Sequence, residues 1–245
     1  MTDLDKRNVS DEELSYALDI LEHISDAYRY EKICQLNAEQ KKTYKTLLDE
    51  FKELHELNFK DEDVPRNLHN LKGEALEKLV VYLLEISGGI FVVKKNLRTA
   101  TNEIDQVISL SEKGKVLFRH GLLNSKYENL LGECKNYDKA VSVTYIGKFC
   151  SLLLTTNIKI GILFSYHGVS GKDWSDGKGL IKKFYLHKER MEERYCIINF
   201  SVKEFDEILD GKNLLQILDE QLKALQYDTD YSRFLSKHPA ENQSG

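Results

Sequence analysis

The sequence predicts an α/β domain, a mixed sheet flanked by helices, with a helical region in front of it. Three observations carry that prediction. The first seventy residues place their apolar side chains at helical spacing. From Asn70 onward, helix-periodic and β-rich runs alternate in the order helix, strand, strand, strand, helix, strand. The last of these strands, "KIGILFS", runs into the glycine-rich "YHGVSGKDWSDGKG", and open α/β sheets bind ligands at the carboxyl ends of their strands.

The elements can be justified in turn. "VSDEELSYALDILEHI" opens on a capping box, with Ser10 as N-cap, Glu13 three residues on, and Val9 and Leu14 placed as a hydrophobic staple. Leu14, Leu18, Leu21 and Ile24 form its stripe. A second helix is predicted from Asn37 to about Leu57, with Tyr44, Leu47, Leu48, Phe51 and Leu54 recurring at helical spacing. The polar "NFKDEDVPRN", with Pro65, is the best boundary in the chain. It separates a helical region, 1–66, from a core, 67–200, followed by a helical extension and tail, 201–245. The stripes of the first region need a partner: the core, a second copy, or another protein.

"LKGEALEKLVVYLLEISGG" is a strong helix that stops at Gly88-Gly89, with Leu76, Leu79, Val80 and Leu83 on its buried stripe and Glu77 at the stripe's edge. "GIFVVKKNL" and "EIDQVISLS" read as strands, Asp105 opening the second. A turn-rich stretch leads to "NLLGECKNY". A helix through Ile146, Phe149, Cys150 and Leu153 then precedes "KIGILFS". "NLLQILDEQLKALQY" is a further amphipathic helix near the end.

Composition narrows the class. The 245 residues suffice for one large domain, or a domain with an appendage, and no apolar run approaches the length of a membrane span. The polar, acidic N-terminus excludes a secretory signal. Cys34, Cys134, Cys150 and Cys196 are scattered without a Cys-x-x-Cys pair, which reads as reduced thiols in a cytoplasmic protein. Charge is unevenly spread. Residues 1–70 carry 10 Lys and Arg against 17 Asp and Glu, residues 71–200 carry 20 against 14, and residues 201–245 carry 5 against 9. A basic middle between acidic ends suits a phosphate-contacting domain with non-contacting flanks.

Glu-x-Lys occurs three times, at Glu39/Lys41, Glu50/Lys52 and Glu133/Lys135. The first two pairs lie on a predicted helix, where residues two apart point in different directions. The third lies on a predicted strand, whose alternation puts Leu131, Glu133 and Lys135 on one face, successive members roughly 7 Å apart. Leu130, Gly132 and Cys134 face the other way, small enough to pack under a helix. An acid and an ammonium are thus presented together from a sheet face.

The order helix-Glu, strand-Asp, strand-Glu-x-Lys resembles the PD-(D/E)xK nuclease superfamily, in particular its Mrr-like restriction-endonuclease branch. "GEALEKLVVYLL" is similar to the branch's opening helix, whose glutamate would be Glu77. "NEIDQVIS" is similar to the strand bearing the metal-binding aspartate, here Asp105, and "LLGECKNY" to the signature strand, here Glu133 and Lys135. "GILFSYHGVSG" looks like the strand and loop that follow. The resemblance covers about residues 71–187, and nothing before residue 67 takes part in it. No proline precedes Asp105, and the stretch from Asp105 to Glu133 is long for this hairpin. An elaborated loop touching nucleic acid or a partner would account for that length.

The resemblance implies a restriction-endonuclease-like fold and a Mg2+-dependent nuclease, with Mn2+ able to substitute, cutting DNA in a prokaryotic restriction or defence setting. RNA is not excluded. Asp105 and Glu133 are hard oxygen ligands suited to Mg2+, and the family adds the backbone carbonyl of Cys134. Lys135 would orient the attacking water, and Glu77 would bind or orient a second one. Crowded acids without an ion should leave one of them protonated. Ser165, His167, Ser170 and Lys172 are candidate nucleic-acid contacts in the loop, where Gly168 and Gly171 allow close approach. Lys182, Lys183, Lys188 and Arg190 could track a backbone electrostatically. The loop is not a P-loop. Cutting two strands favours a homodimer or a protein partner, with the helical N-terminal region as the docking element. The alternative is a catalytically silent nucleic-acid-binding or adaptor subunit. Taken singly, Asp105 could cap a strand entry, and Glu133 with Lys135 could be a surface pair contributing well under ~1 kcal/mol.

Overall fold

The N-terminal helices start where their caps put them. The computed structural model describes residues 10–57, 65–98, 103–172 and 175–227. Helix α1 spans Asp11–Glu22, and the Ser10–Glu13 capping box is formed in both directions, at 3.2 and 3.0 Å. The staple expected of Val9 and Leu14 and most of the connector before Pro65 lie outside the described residues. Helix α2, Asp26–Ile33, is short and polar and was not expected. Helix α3, Ala38–Glu56, begins at Asn37, whose side chain accepts from the Gln40 N–H while Gln40 caps in return. Its buried residues Tyr44, Leu48, Phe51 and His55 form one stripe, and the Tyr44 hydroxyl donates to the Phe205 carbonyl at 2.9 Å.

Helix α4, Leu68–Ile86, is buried at Leu76, Leu79, Val80 and Leu83 as expected, and also at Leu68, Lys72, Ala75, Leu84 and Ile86. It lies between α3 and the sheet, which is why its burial exceeds one stripe. Gly88 and Gly89 then take positive φ angles of 67° and 64°, where a side chain would be strained.

The sheet has five strands in the order β1-β2-β3-β4-β5. These are β1 (Phe91–Arg98), β2 (Glu103–Leu110), β3 (Asn129–Lys135), β4 (Ile160–Ser165) and β5 (Cys196–Phe200). The first three pair antiparallel, and β4 and β5 continue parallel to β3. Helix α6 (Val143–Thr156) connects β3 to β4, and α7 (Asp176–Leu186) connects β4 to β5. Helices α8 (Val202–Leu209) and α9 (Leu214–Gln226) follow. The architecture is therefore α/β, a mixed sheet flanked by helices. Helix α7 and two further core elements go beyond the expected order. The turn-rich stretch contains helix α5, Glu112–Arg119, and "CIINF" forms the fifth strand.

Strand alternation divides the interior in two. Ile108, Leu130, Ile162, Phe164, Ile198 and Phe200 share one core with α3, α4, α8 and α9, and Leu18, Tyr30 and Cys34 of α1, α2 and the segment after them belong to it as well. Leu131, Leu163 and Ile197 form the other core with Ile146, Phe149 and Leu153 of α6 and Ile181 of α7. Strand β4 is buried along its whole length. Gly161 lies directly beneath Phe149, and a Cβ there would stand 2.6 Å from the ring.

Strand β5 is an edge whose outer backbone is bonded at Asn199. The Asn199 N–H donates to Gln221 Oε1 at 3.1 Å, and Gln221 Nε2 donates to the Asn199 carbonyl at 2.6 Å. One side-chain amide from α9 thus takes the place of a sixth strand. Strand β1, at the other edge, exposes Lys94 and Lys95. Among the described residues no helix is long and apolar enough to cross a membrane.

Candidate functional site

Strand pairing brings the first two candidates together. Gln106 opposes Gly132 and Val107 opposes Leu131, so continuing the register by one step sets Asp105 beside Glu133 on one face. Lys135 stands two residues further along that face. Its Nζ lies 2.6 Å from Glu133 Oε1 and 3.1 Å from Asp105 Oδ2. The Cys134 N–H donates to Asp105 Oδ2 at 3.3 Å. In an extended strand a residue's carbonyl points to the same side as its N–H, so the Cys134 carbonyl also faces the Asp105 end of β2.

All three side chains are largely shielded from water, and for Glu133 and Lys135 this bears on their charge. Burial pushes the Glu133 carboxyl up and Asp105 adds to that, against the downward pull of Lys135. Burial alone would pull the Lys135 ammonium down, but Glu133 and Asp105 outweigh it and hold it above the ordinary lysine range. Glu133 is thus the acid displaced toward holding a proton, and Lys135 is the group that keeps its charge. The Cys134 thiol on the opposite face is pushed well up, by burial first and then by Asp105 and Glu77.

Glu77 stands apart from this cluster. Helix α4 packs on the sheet face that carries Leu130, whereas Glu133 alternates with Leu131 on the other. Glu77 and Lys135 meet only across a cleft of about 370 Å³ at the end of β3, lined also by His69, Gly73, Cys134 and Tyr137. Asp105 and Glu133 do not line it. Among the described residues no three His, Cys, Asp or Glu side chains form a group that could hold a metal ion. The structure therefore joins Asp105, Glu133 and Lys135 and leaves Glu77 on the far wall.

The loop candidates are mostly occupied by local structure. Ser165 is buried, and its Oγ accepts from the Gly168 N–H at 3.0 Å. The Ser170 N–H donates to the Val141 carbonyl at 3.0 Å, tying the loop after β4 to the loop after β3, and the Ser170 carbonyl accepts from the Lys178 N–H. The exposed Lys172 shares three hydrogen bonds with Ser175 through its backbone. His167 Nε2 lies 3.1 Å from His55 Nε2.

That last contact belongs to a network that sequence reading missed. His55 Nδ1 lies 2.8 Å from Asn136 Oδ1, and Asn136 Nδ2 donates to the Lys72 carbonyl at 2.8 Å. Because the Asn136 amide nitrogen is used there, its oxygen accepts from a protonated His55 Nδ1. His55 Nε2 is then the acceptor for His167. The buried Lys72 ammonium donates to the His55 carbonyl at 2.9 Å and to Asp138 at 3.0 Å. Tyr166 stacks on His55 at 3.5 Å with planes 5° apart. Burial lowers the His55 pKa, helped by His167 and Lys72 and opposed by the Asn136 hydrogen bond and Asp138. The signal was present: His55 follows Phe51 by four residues on the buried stripe of α3.

Tyr137 and Tyr145 close the site on the α6 side, with ring centroids 5.3 Å apart. The Tyr137 hydroxyl is pushed up to about 12, by burial first and then by its hydrogen bond with Tyr145, while Lys135 pulls it down. No family model matches the chain, and comparison with curated proteins and with solved structures gives no match either.

Proposed function

We propose that the chain is a Mg2+-dependent nuclease of the PD-(D/E)xK type, hydrolysing phosphodiester bonds, with DNA in a prokaryotic restriction or defence setting as its substrate. The observation that carries the proposal is the convergence of Asp105, Glu133 and Lys135 at the point where an antiparallel strand pair meets a parallel one. The donor set fits a hard cation. Two carboxylates on neighbouring strands and a backbone carbonyl facing them leave room for the several waters that Mg2+ retains.

Bound there, the ion would supply a more acidic water and neutralise charge on a phosphoryl oxygen. The chain's own residues do the rest. Asp105 and Glu133 would hold the ion, with the Cys134 N–H fixing the Asp105 carboxylate in its orientation. Lys135, kept charged by the two acids, would present its ammonium to the phosphate and the attacking water. Glu77, on the far wall of the cleft, would orient a second water. Mn2+ would serve in place of Mg2+.

Plasmid nicking in Mg2+ against EDTA tests this, with Asp105→Ala and Lys135→Ala beside the wild type. Each substitution should lower the rate at least roughly a hundredfold, the scale at which positioned acid–base groups act. Full activity in both variants rejects the assignment. Absence of cleavage in the wild type, with salt-sensitive DNA binding retained, would support the silent binding subunit instead. The ion pairs around Lys135 would then be structural only.

A further inference from the structure

The wall beside Lys135 is aromatic, and nothing in the hydrolytic reading uses it. Tyr137 follows Lys135 by two residues and lines the same cleft. Tyr145, from the start of α6, sits against it with the two ring planes 48° apart. Lys148, one turn further on, holds its ammonium over the Tyr145 ring, 5.3 Å from its centre, a contact that a stacked base would displace. Tyr145 is not consumed by packing: it is 38 % exposed, beside Val143 at 42 %. The loop between the two tyrosines is pinned, because the Val141 N–H donates to the Gly168 carbonyl at 2.8 Å. The ring pair is therefore held on both sides, by α6 and by the loop after β4.

We infer that Tyr145, supported by Tyr137 and flanked by Lys148, is a stacking face for an unpaired nucleic-acid base next to the scissile phosphate. The inference rests on the proposed hydrolytic role of Asp105, Glu133 and Lys135, and it names the substrate class of that site. The chemistry is specific about what fits. An exposed aromatic ring beside ammonium groups takes the π-face of a base and the phosphate attached to it. Inside a duplex both faces of every base are already covered, so only an unpaired nucleotide can use the ring. Tyr137 lies roughly 7 Å along the chain from Lys135. A base stacked on this pair therefore belongs to a nucleotide close to the one whose phosphate meets Lys135. Nucleic acid with single-stranded character, such as a gap, a flap or a free strand, is the preferred substrate.

The test uses the full chain and labelled 15-nucleotide probes in EDTA, so that binding is read without cleavage. Single-stranded oligo-dT, single-stranded oligo-U and a blunt duplex are titrated by fluorescence anisotropy against the wild type, Tyr145→Ala and Tyr145→Trp. Tyr145→Ala should weaken single-strand binding about fivefold to a hundredfold, the range of one lost base–aromatic stack. Duplex binding should stay within about twofold, and Tyr145→Trp should retain or improve the single-strand affinity. Loss on oligo-dT alone assigns DNA, and loss on both single strands assigns an unpaired base of either sugar; each supports the stacking face. Unchanged single-strand binding in Tyr145→Ala overturns it, as does an equal loss on the duplex or a wild type that prefers the blunt duplex. Cleavage of the same single-stranded probes in Mg2+ separates the two ideas. A Tyr145-dependent single-strand binder that never cuts them in Mg2+ sinks the hydrolase and leaves the stacking face standing. A Mg2+-dependent nuclease indifferent to Tyr145→Ala in the binding assay sinks the stacking face alone.

Discussion

His55 shows how a single residue can be placed by the fold and invisible as a site beforehand. Its spacing marks it as a core position of α3, but its partners Asn136 and His167 lie 81 and 112 residues away. Glu133 and Lys135 were legible because a strand repeats every two residues, so a face can be read directly, and Asp105 was marked only by the family resemblance. The His55 network has no such period and exists only through tertiary packing. It makes a pH prediction. Burial lowers the His55 pKa below its ordinary value, so the unfolded chain takes up this proton first. The stability from neutral His55 is fully present above about pH 6.5, the unfolded value, and is lost as pH falls toward the folded value. Thermal melts of wild type and His55→Gln from pH 8 to 5 should show their difference in Tm shrinking on the acid side. A difference independent of pH would mean that His55 takes up its proton at the same pH folded and unfolded, so that burial does not lower its pKa.

Among the elements, those announced by their own ends were the legible ones. Helix α3 begins at the Asn37–Gln40 capping box that its sequence spells out, and α4 stops at its glycine pair. The elements missed are the short ones held by their neighbours. Helix α5 is eight residues long, and its Gly114 fits only because a Cβ would come within 2.3 Å of the Ile90 carbonyl. Strand β5 has five residues and exchanges hydrogen bonds with a glutamine of α9. The packing of α6 on β4 offers a direct test of this scale. Gly161→Ala drives a methyl into the Phe149 ring and should cost about 1–3 kcal/mol in urea denaturation. Combining it with Phe149→Leu should cost less than the sum of the two single changes, because the smaller side chain leaves room for the methyl. Strict additivity would show that the contact is not as close as described.

At the scale of the whole molecule, the boundary drawn at Pro65 divides the chain but not its interior. Leu18, Tyr30, Cys34, Tyr44, Leu48 and Phe51 share one core with Ile162 and Phe164 of strand β4. The stripe of α3 that needed a partner finds it in α4 and α8. The sequence could not reveal this, since amphipathic helices look the same whether they face their own chain or another. Phe51→Ala should therefore lower the stability of the entire chain by about 3–5 kcal/mol, with one cooperative transition that moves as a unit. Removing residues 1–57 should abolish that transition in circular-dichroism melts. A truncated chain that melted like the intact one would show that the helical region is an appendage after all.

The sheet's two margins also decide how such a chain behaves in a crowd. A bare edge invites the edge of another copy, and repeated joining grows ribbons. Here one margin is capped at Asn199 by the Gln221 amide and the other presents adjacent lysines that repel their like. Concentrated protein should accordingly stay dispersed rather than gel, and Gln221→Ala is the change that would unlock polymer growth.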